Sequence, residues 1–118
     1  MKSVRSNKFA KLIQKELSVI FQRSGTLFFG QAFVTITQVI TSPDLSIAKV
    51  YLSFLGTPDA GKIVLGMKGH AKEIRKLLGN RIKNQVRHIP ELVFLLDDSL
   101  EYAMKIDQLL KEVNKSKQ

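Results

Sequence analysis

The turn Ser42-Pro43-Asp44-Leu45 and the run that follows it to Leu55 constrain the fold more than any other part of the chain. Ser42, Pro43 and Asp44 are turn formers: proline presets its own φ, and aspartate bonds nearby backbone. Past the turn, over about 46–55, the pattern alternates. Ala48, Val50, Leu52 and Phe54 point one way, and Lys49, Tyr51 and Ser53 the other, the period of a half-buried strand. Upstream, residues 32–40 are rich in Val, Ile, Thr and Phe and read as another strand.

Around these strands the periodicity changes to that of helices. Residues 3–23 place Phe9, Ile13, Leu17 and Ile20 on one apolar face, with Lys8, Lys11 and Lys15 on another. Gly25 and Gly30 bound a loop. Thr57-Pro58-Asp59 reads as a helix start, with Thr57 as N-cap and Pro58 in the first turn. Gly61, Gly66 and Gly69 weaken that helix and predict a break near 66–70. A stronger helix follows over 70–79, extending to 87 if it runs past Gly79, with Ile74, Leu77, Leu78 and Ile82 on its apolar side. Leu92 to Leu96 suits a buried strand. Asp98 and Glu101 form a capping box that opens a last helix over 99–113, its inward face being Ala103, Ile106, Leu110 and Val113. The order is helix, strand, strand, helix, helix, strand, helix. It predicts an α+β domain over 1–113, helices packed on a three-stranded sheet, with residues 114–118 a frayed polar tail.

Size and charge then narrow the function. A chain of 118 residues suits one domain. With no cysteine, disulfides, thiolate metal sites and cysteine nucleophiles are excluded, which suits a reducing, cytoplasmic setting. Residues 1–23 hold no apolar core of a secretory signal. The segment Ser24 to Pro43 is uncharged, yet Gln31, Thr35, Thr37, Gln38 and its glycines make it too polar to span a membrane. The net charge is +9 and is concentrated. Lys2, Arg5, Lys8, Lys11, Lys15 and Arg23 face the single acid Glu16 in residues 1–23. Lys68, Lys72, Arg75, Lys76, Arg81, Lys83 and Arg87 face the single acid Glu73 in residues 68–88. Such clustering points to a polyanionic partner.

The order Ser42-Pro43-Asp44-Leu45-Ser46-x-Ala48-Lys49-Val50-Tyr51 resembles the signature of the ribosome-binding factor A family. Four further blocks agree in order. Lys8-x-x-x-Leu12-x-x-Lys15-Glu16-Leu17-Ser18-x-Ile20 is similar to the family's first helix, and Leu77-Leu78-Gly79-Asn80-Arg81 to its Leu-Gly-x-Arg segment. Ile89-Pro90-Glu91-Leu92-x-Phe94 resembles the entry to its last strand, and Asp97-Asp98-Ser99-Leu100-Glu101 its closing block. Where family members carry Ala-x-Gly between the central helices, this chain reads His70-Ala71-Lys72, with Gly69 just before it. The resemblance implies a type II K-homology-like fold (helix-strand-strand-helix-helix-strand) with an additional C-terminal helix. It also implies a non-enzymatic assembly factor that binds free 30S subunits and 16S ribosomal RNA, near the 5′-terminal helix, and assists late maturation and processing. An integral ribosomal or general RNA-binding protein is the nearer alternative, and a peripheral membrane protein using the first helix a more distant one.

The residues expected to hold RNA are Lys8, Lys11 and Lys15 on the first helix, and Lys68, Lys72, Arg75, Lys76, Arg81, Lys83 and Arg87 beyond the break. Neutralising phosphates releases counterions, so such faces anchor RNA without reading its sequence. Gly66, Gly69 and Ala71 are the expected interhelical kink. Gly66-x-x-Gly69 spells the phosphate-approaching loop of K-homology domains, though Lys72 stands where that motif has an apolar residue. Other motifs are weaker. Gly56-x-x-x-x-Gly61-Lys62 approaches a phosphate-binding loop but has Ile63 in the hydroxyl position. His70 and His88 lack metal-ligand spacing, and His88 reads as a polar neighbour of the basic patch; Asp97 with Asp98 makes a poor acid–base pair, while a small enzyme using His88 with Asp97 stays an alternative. Phe28, Phe29, Phe33, Phe54 and Phe94 read as mostly core, with base stacking open to Phe28 or Phe29 in the loop. No metal, cofactor, small-molecule substrate or membrane is expected, and a monomer is the default.

Overall fold

The computed structural model describes residues 4–57 and 59–97. The expected final helix, its Asp98–Glu101 capping box, the tail and Pro58 lie outside the described residues. The chain begins with helix α1, Val4–Ser24. Its stripe of Phe9, Ile13, Leu17 and Ile20 is buried as the spacing requires. Full burial of a side chain such as Ile13 or Leu17 contributes about 1.5–3 kcal/mol relative to exposure.

Between Gly25 and Gly30 the expected loop is instead a single helical turn, α2, Thr26–Phe29. Gly25 leaves no room for a side chain, since a Cβ there would meet the Phe21 carbonyl and the Phe29 ring at 2.2 Å. Gly30 stops the turn with φ of 65°, a left-handed conformation that glycine adopts without steric penalty. This turn folds its aromatics inward. Phe28 is only 6% exposed, and Phe29 packs edge-on against Phe21 with ring centroids 5.4 Å apart. Phe28 is therefore not free to stack on bases, and Phe29 is half-buried. Phe33, expected in the core, is 67% exposed.

Strands β1 (Phe33–Thr41) and β2 (Ile47–Leu55) form an antiparallel pair, interrupted by a bulge between Ile36 and Gln38. The bulged Thr37 donates its hydroxyl to Asp97 Oδ2 at 2.6 Å. Ala48, Val50, Leu52 and Phe54 are buried, as the alternation requires. Ser53, on the opposite face by register, is buried as well. The turn between the strands is held from within. Asp44 Oδ1 accepts from the Ser42 and Ser46 hydroxyls, each at 2.7 Å, and from the Ser46 N–H at 3.1 Å. Leu45 sits at φ 64°, a left-handed conformation that costs a non-glycine residue about 1–3 kcal/mol and persists only where surrounding bonds impose it.

Helix α3 spans Ala60–Lys68 and α4 spans Ala71–Ile82. The start differs from the expected one. Thr57 does not cap: its hydroxyl donates to the Leu55 carbonyl at 3.4 Å, and Asp59 is the residue before the helix. The break falls where the glycines put it, at Gly69-His70. α4 runs past Gly79, where a Cβ would stand 3.2 Å from Ile89, and then stops at Ile82 rather than reaching 87. The N–H groups of Gln85 and Val86 both turn back to the Ile82 carbonyl. α4 buries Ile74, Leu78 and Ile82.

β3, Glu91–Leu96, lies parallel to β2 and completes the sheet in the order β1-β2-β3. A parallel pair needs a long crossover, and α3 with α4 supply it. Phe94 and Leu92 join the core from β3. The architecture is thus helices on a three-stranded sheet, the α+β arrangement expected.

Candidate nucleic-acid interface

All ten cationic residues singled out from the sequence reach solvent. Lys8, Lys11 and Lys15 lie on α1, Lys68 closes α3, and Lys72, Arg75, Lys76 and Arg81 lie on α4. Lys83 caps α4. Because the helix ends at Ile82, Arg87 leaves its expected face and enters the segment that leads to β3.

The fold brings Lys8, Lys68, Lys72, Arg75 and Arg87 to two clefts beside the Ser42–Ser46 turn, while Lys11, Lys15, Lys76, Arg81 and Lys83 line neither. A cleft of about 570 Å³ opens between the start of α1, this turn and the segment after α4, with Arg5, Lys8, Arg87 and His88 on its walls. A second cleft, of about 670 Å³, runs between the α3–α4 joint and β3 and is lined by Lys68, Lys72 and Arg75 above Leu92 and Phe94. Ser46 lines both. Part of each cationic group, distant in sequence, therefore meets beside Ser46. His88 stands beside the basic patch as its sequence position suggests, whereas Arg5 was missed as a member. The available signal was Arg5 standing three residues before Lys8, one helical turn away.

Two arginines are engaged inside the fold. Arg75 donates from Nε to the Ile89 and Pro90 carbonyls, both at 3.2 Å, and from Nη2 to Ile89 at 2.8 Å. It ties α4 to the entry of β3. Arg81 pairs through Nε with Glu16 Oε2 at 2.5 Å, joining α4 to α1. That pair engages Glu16, the acid that α1 carries among its lysines. Among the described residues that line the first cleft, Asp44 is the sole carboxylate. The Ser42 hydroxyl, then the Ser46 hydroxyl and N–H, hold its pKa down from 3.8 to about 2, so it is ionised and turned toward its own serines.

The remaining motifs find other places. Gly66 lies within α3, Gly69 and His70 form the joint, and Ala71 opens α4. Gly69 has φ of −68° and ψ of −20°, an ordinary helical conformation. His70 sits with Nδ1 3.6 Å from Glu73 Oε1 and its ring 5.4 Å from that of Phe28. Asp97 accepts from Thr37, so the proposed pairing of His88 with Asp97 has no support in the geometry. Lys62, of the near phosphate loop, is exposed on α3. Among the described residues no group of three or more His, Asp or Glu side chains could hold a metal ion, and no helix is long and apolar enough to cross a membrane.

The chain is therefore a small α+β domain, helices on a three-stranded sheet, with a bipartite cationic end. Residues 5–110 match the family model described as ribosome-binding factor A, and the chain belongs to that family. A ribosome-binding factor A of Cytophaga hutchinsonii is 49% identical over 113 residues, covering 96% of this chain and 85% of that protein. The solution structure of a putative ribosome binding factor A from Thermotoga maritima superposes with a TM-score of 0.62 at 29% identity, covering 80% of this chain and 89% of that one. A Thermus thermophilus homology model fitted into a cryo-EM map of a complex of that factor with 30S gives 0.56 at 17% identity, covering 83% and 97%. At that identity the likeness is one of fold.

Proposed function

We propose that this protein binds the free 30S ribosomal subunit late in assembly, contacts 16S ribosomal RNA near its 5′-terminal helix, assists maturation and processing, and leaves before translation. It acts in the cytoplasm and catalyses no reaction. The helix-strand-strand-helix-helix-strand order is that of a type II K-homology domain, and Gly66, Gly69 and Ala71 supply the kink. The observation that carries the reading is the meeting of two cationic clefts at Ser46.

Charges lining a concave surface focus the field and raise the local concentration of a polyanion. A-form RNA hides its base edges in a deep, narrow groove, so a rigid cationic surface reads backbone geometry. Lys68 and Lys72 address one stretch of phosphates, and Arg5, Lys8 and Arg87 a second.

Lys8→Glu, Lys68→Glu and Lys72→Glu together test this. The expected result is loss of co-sedimentation with free 30S particles and an unchanged circular dichroism spectrum. Undiminished co-sedimentation refutes the reading. Wild-type protein in translating polysomes would favour an integral ribosomal protein instead.

A further inference from the structure

The first cleft holds more than cations. Part of its lining is apolar. Leu12 comes from α1, Leu45 from the turn and Val86 from the segment after α4, all half-buried, with the buried Phe9 among them. Arg5, Lys8 and Arg87 line the same space and are exposed. Charged phosphates gain nothing from apolar contact. The cationic side chains therefore account for a phosphate chain and leave the apolar lining unexplained. Its volume of about 570 Å³ falls within the range of about 300–1,000 Å³ in which small ligands are held.

Two residues of the turn are oddly placed for a surface that meets only phosphate. Leu45 keeps a left-handed φ of 64°, where glycine would sit without strain. Strained positions cluster at ligand clamps, and this one sets a leucine in the wall of the cleft. Asp44 is an exposed carboxylate in the same cleft. Its bonds from the Ser42 and Ser46 hydroxyls and the Ser46 N–H all converge on Oδ1, and Oδ2 accepts from none of the described residues. An ionised carboxylate repels phosphate and accepts from the N–H groups of a base edge.

Resting on the reading of these clefts as an RNA surface, we propose that the first cleft takes one unstacked nucleobase bearing an exocyclic amino group, from a single-stranded stretch of RNA. The base lies against Leu12, Leu45 and Val86, and its amino group donates to Asp44 Oδ2. Arg5, Lys8 and Arg87 hold the phosphates on either side. Uracil brings a carbonyl oxygen where adenine and cytosine bring an amino group, and that oxygen meets the carboxylate unfavourably. Paired bases are excluded, because a duplex keeps their faces within the stack.

Fluorescence anisotropy with the full-length protein tests this, using short labelled oligouridylates whose central position carries adenine, uracil or no base. The adenine strand is expected to bind about fivefold more tightly than either of the others, the lower end for contact with one base face. The salt slope is expected to be equal for all three, since their phosphates are the same. Leu45→Gly relieves the backbone and removes the side chain. It is expected to erase the preference while the circular dichroism spectrum and the salt slope stay unchanged. Asp44→Asn is expected to let uracil bind as tightly as adenine, because an amide offers both a donor and an acceptor. Equal binding of the adenine strand and either of the others by the wild type, or a preference that survives Leu45→Gly, overturns the proposal and leaves the RNA reading standing. Failure of all three strands to bind at low salt overturns both.

Discussion

Arg75 distinguishes the two roles a cationic side chain can have in this molecule. Its guanidinium donates to the carbonyls of Ile89 and Pro90, the residues that lead into β3. Arg75→Gln removes that fork and returns both carbonyls to water. Hydrogen bonds to charged groups contribute about 1.5–3 kcal/mol net. The site is partly open to solvent, so the lower part of that range applies, about 1.5–2 kcal/mol. With an unfolding entropy near 2.1 cal/mol/K per residue, the melting temperature falls by roughly 6–8 °C. Urea unfolding followed by circular dichroism, with a thermal scan in the same buffer, measures it. The salt dependence of rRNA binding is the second readout. Each lost phosphate contact lowers its logarithmic slope by about 0.7–0.9. Arg75→Gln is expected to leave that slope unchanged, whereas Lys72→Gln lowers it and shifts stability by less than about 0.5 kcal/mol. The opposite pattern, a stable Arg75→Gln with a reduced slope, would refute the assignment.

Three further outcomes follow from local geometry. Gly25→Ala forces a Cβ to within 2.2 Å of the Phe21 carbonyl and the Phe29 ring and is expected to destabilise by about 1–3 kcal/mol; Gly61→Ala, facing open space in α3, should instead stabilise by about 0.5–1 kcal/mol in the same urea titration. The Ser42 and Ser46 donors hold the folded Asp44 carboxyl down from its ordinary 3.8 to about 2. Its contribution is complete above 3.8 and fades as pH falls toward 2. Unfolding midpoints of wild type and Asp44→Asn should run parallel above pH 5 and converge below 3.8, and a constant gap down to pH 2 would contradict the serine cage.

The elements with long, regular patterns were legible. α1 follows from apolar residues at 9, 13, 17 and 20, and β2 from four alternating buried positions. α2 was not, because Thr26–Phe29 is too short to show a period and its flanking glycines resemble those of a loop. Nor did sequence mark the end of α4, since Lys83 to Gln85 are compatible with helix and the stop comes from tertiary turns onto Ile82. At the interface, the cationic residues were visible but their partners were not. Arg81 finds Glu16 across 65 positions, and Arg75 finds carbonyls 14 and 15 residues on. Only the folded chain shows which guanidinium groups are engaged within the domain. The clustering at Ser46 likewise depends on α1 and the segment after α4 converging on a turn that neither adjoins in sequence.

The central strand has its two neighbours at very different distances along the chain. β1 reaches β2 through a five-residue turn, while β3 arrives only after α3 and α4 have been laid down, Ile47 meeting Glu91. Loop-closure entropy makes such remote parallel pairing slow relative to the hairpin. During synthesis, the hairpin and α1 are available well before Glu91 to Leu96 leave the exit tunnel. Until then β2 has one open flank, and the Ser46 carbonyl awaits the Glu91 N–H that closes the sheet. The second cleft, walled by Leu92 and Phe94, is thus the last part of the nascent domain to take shape, and newly made protein acquires it only once β3 has emerged.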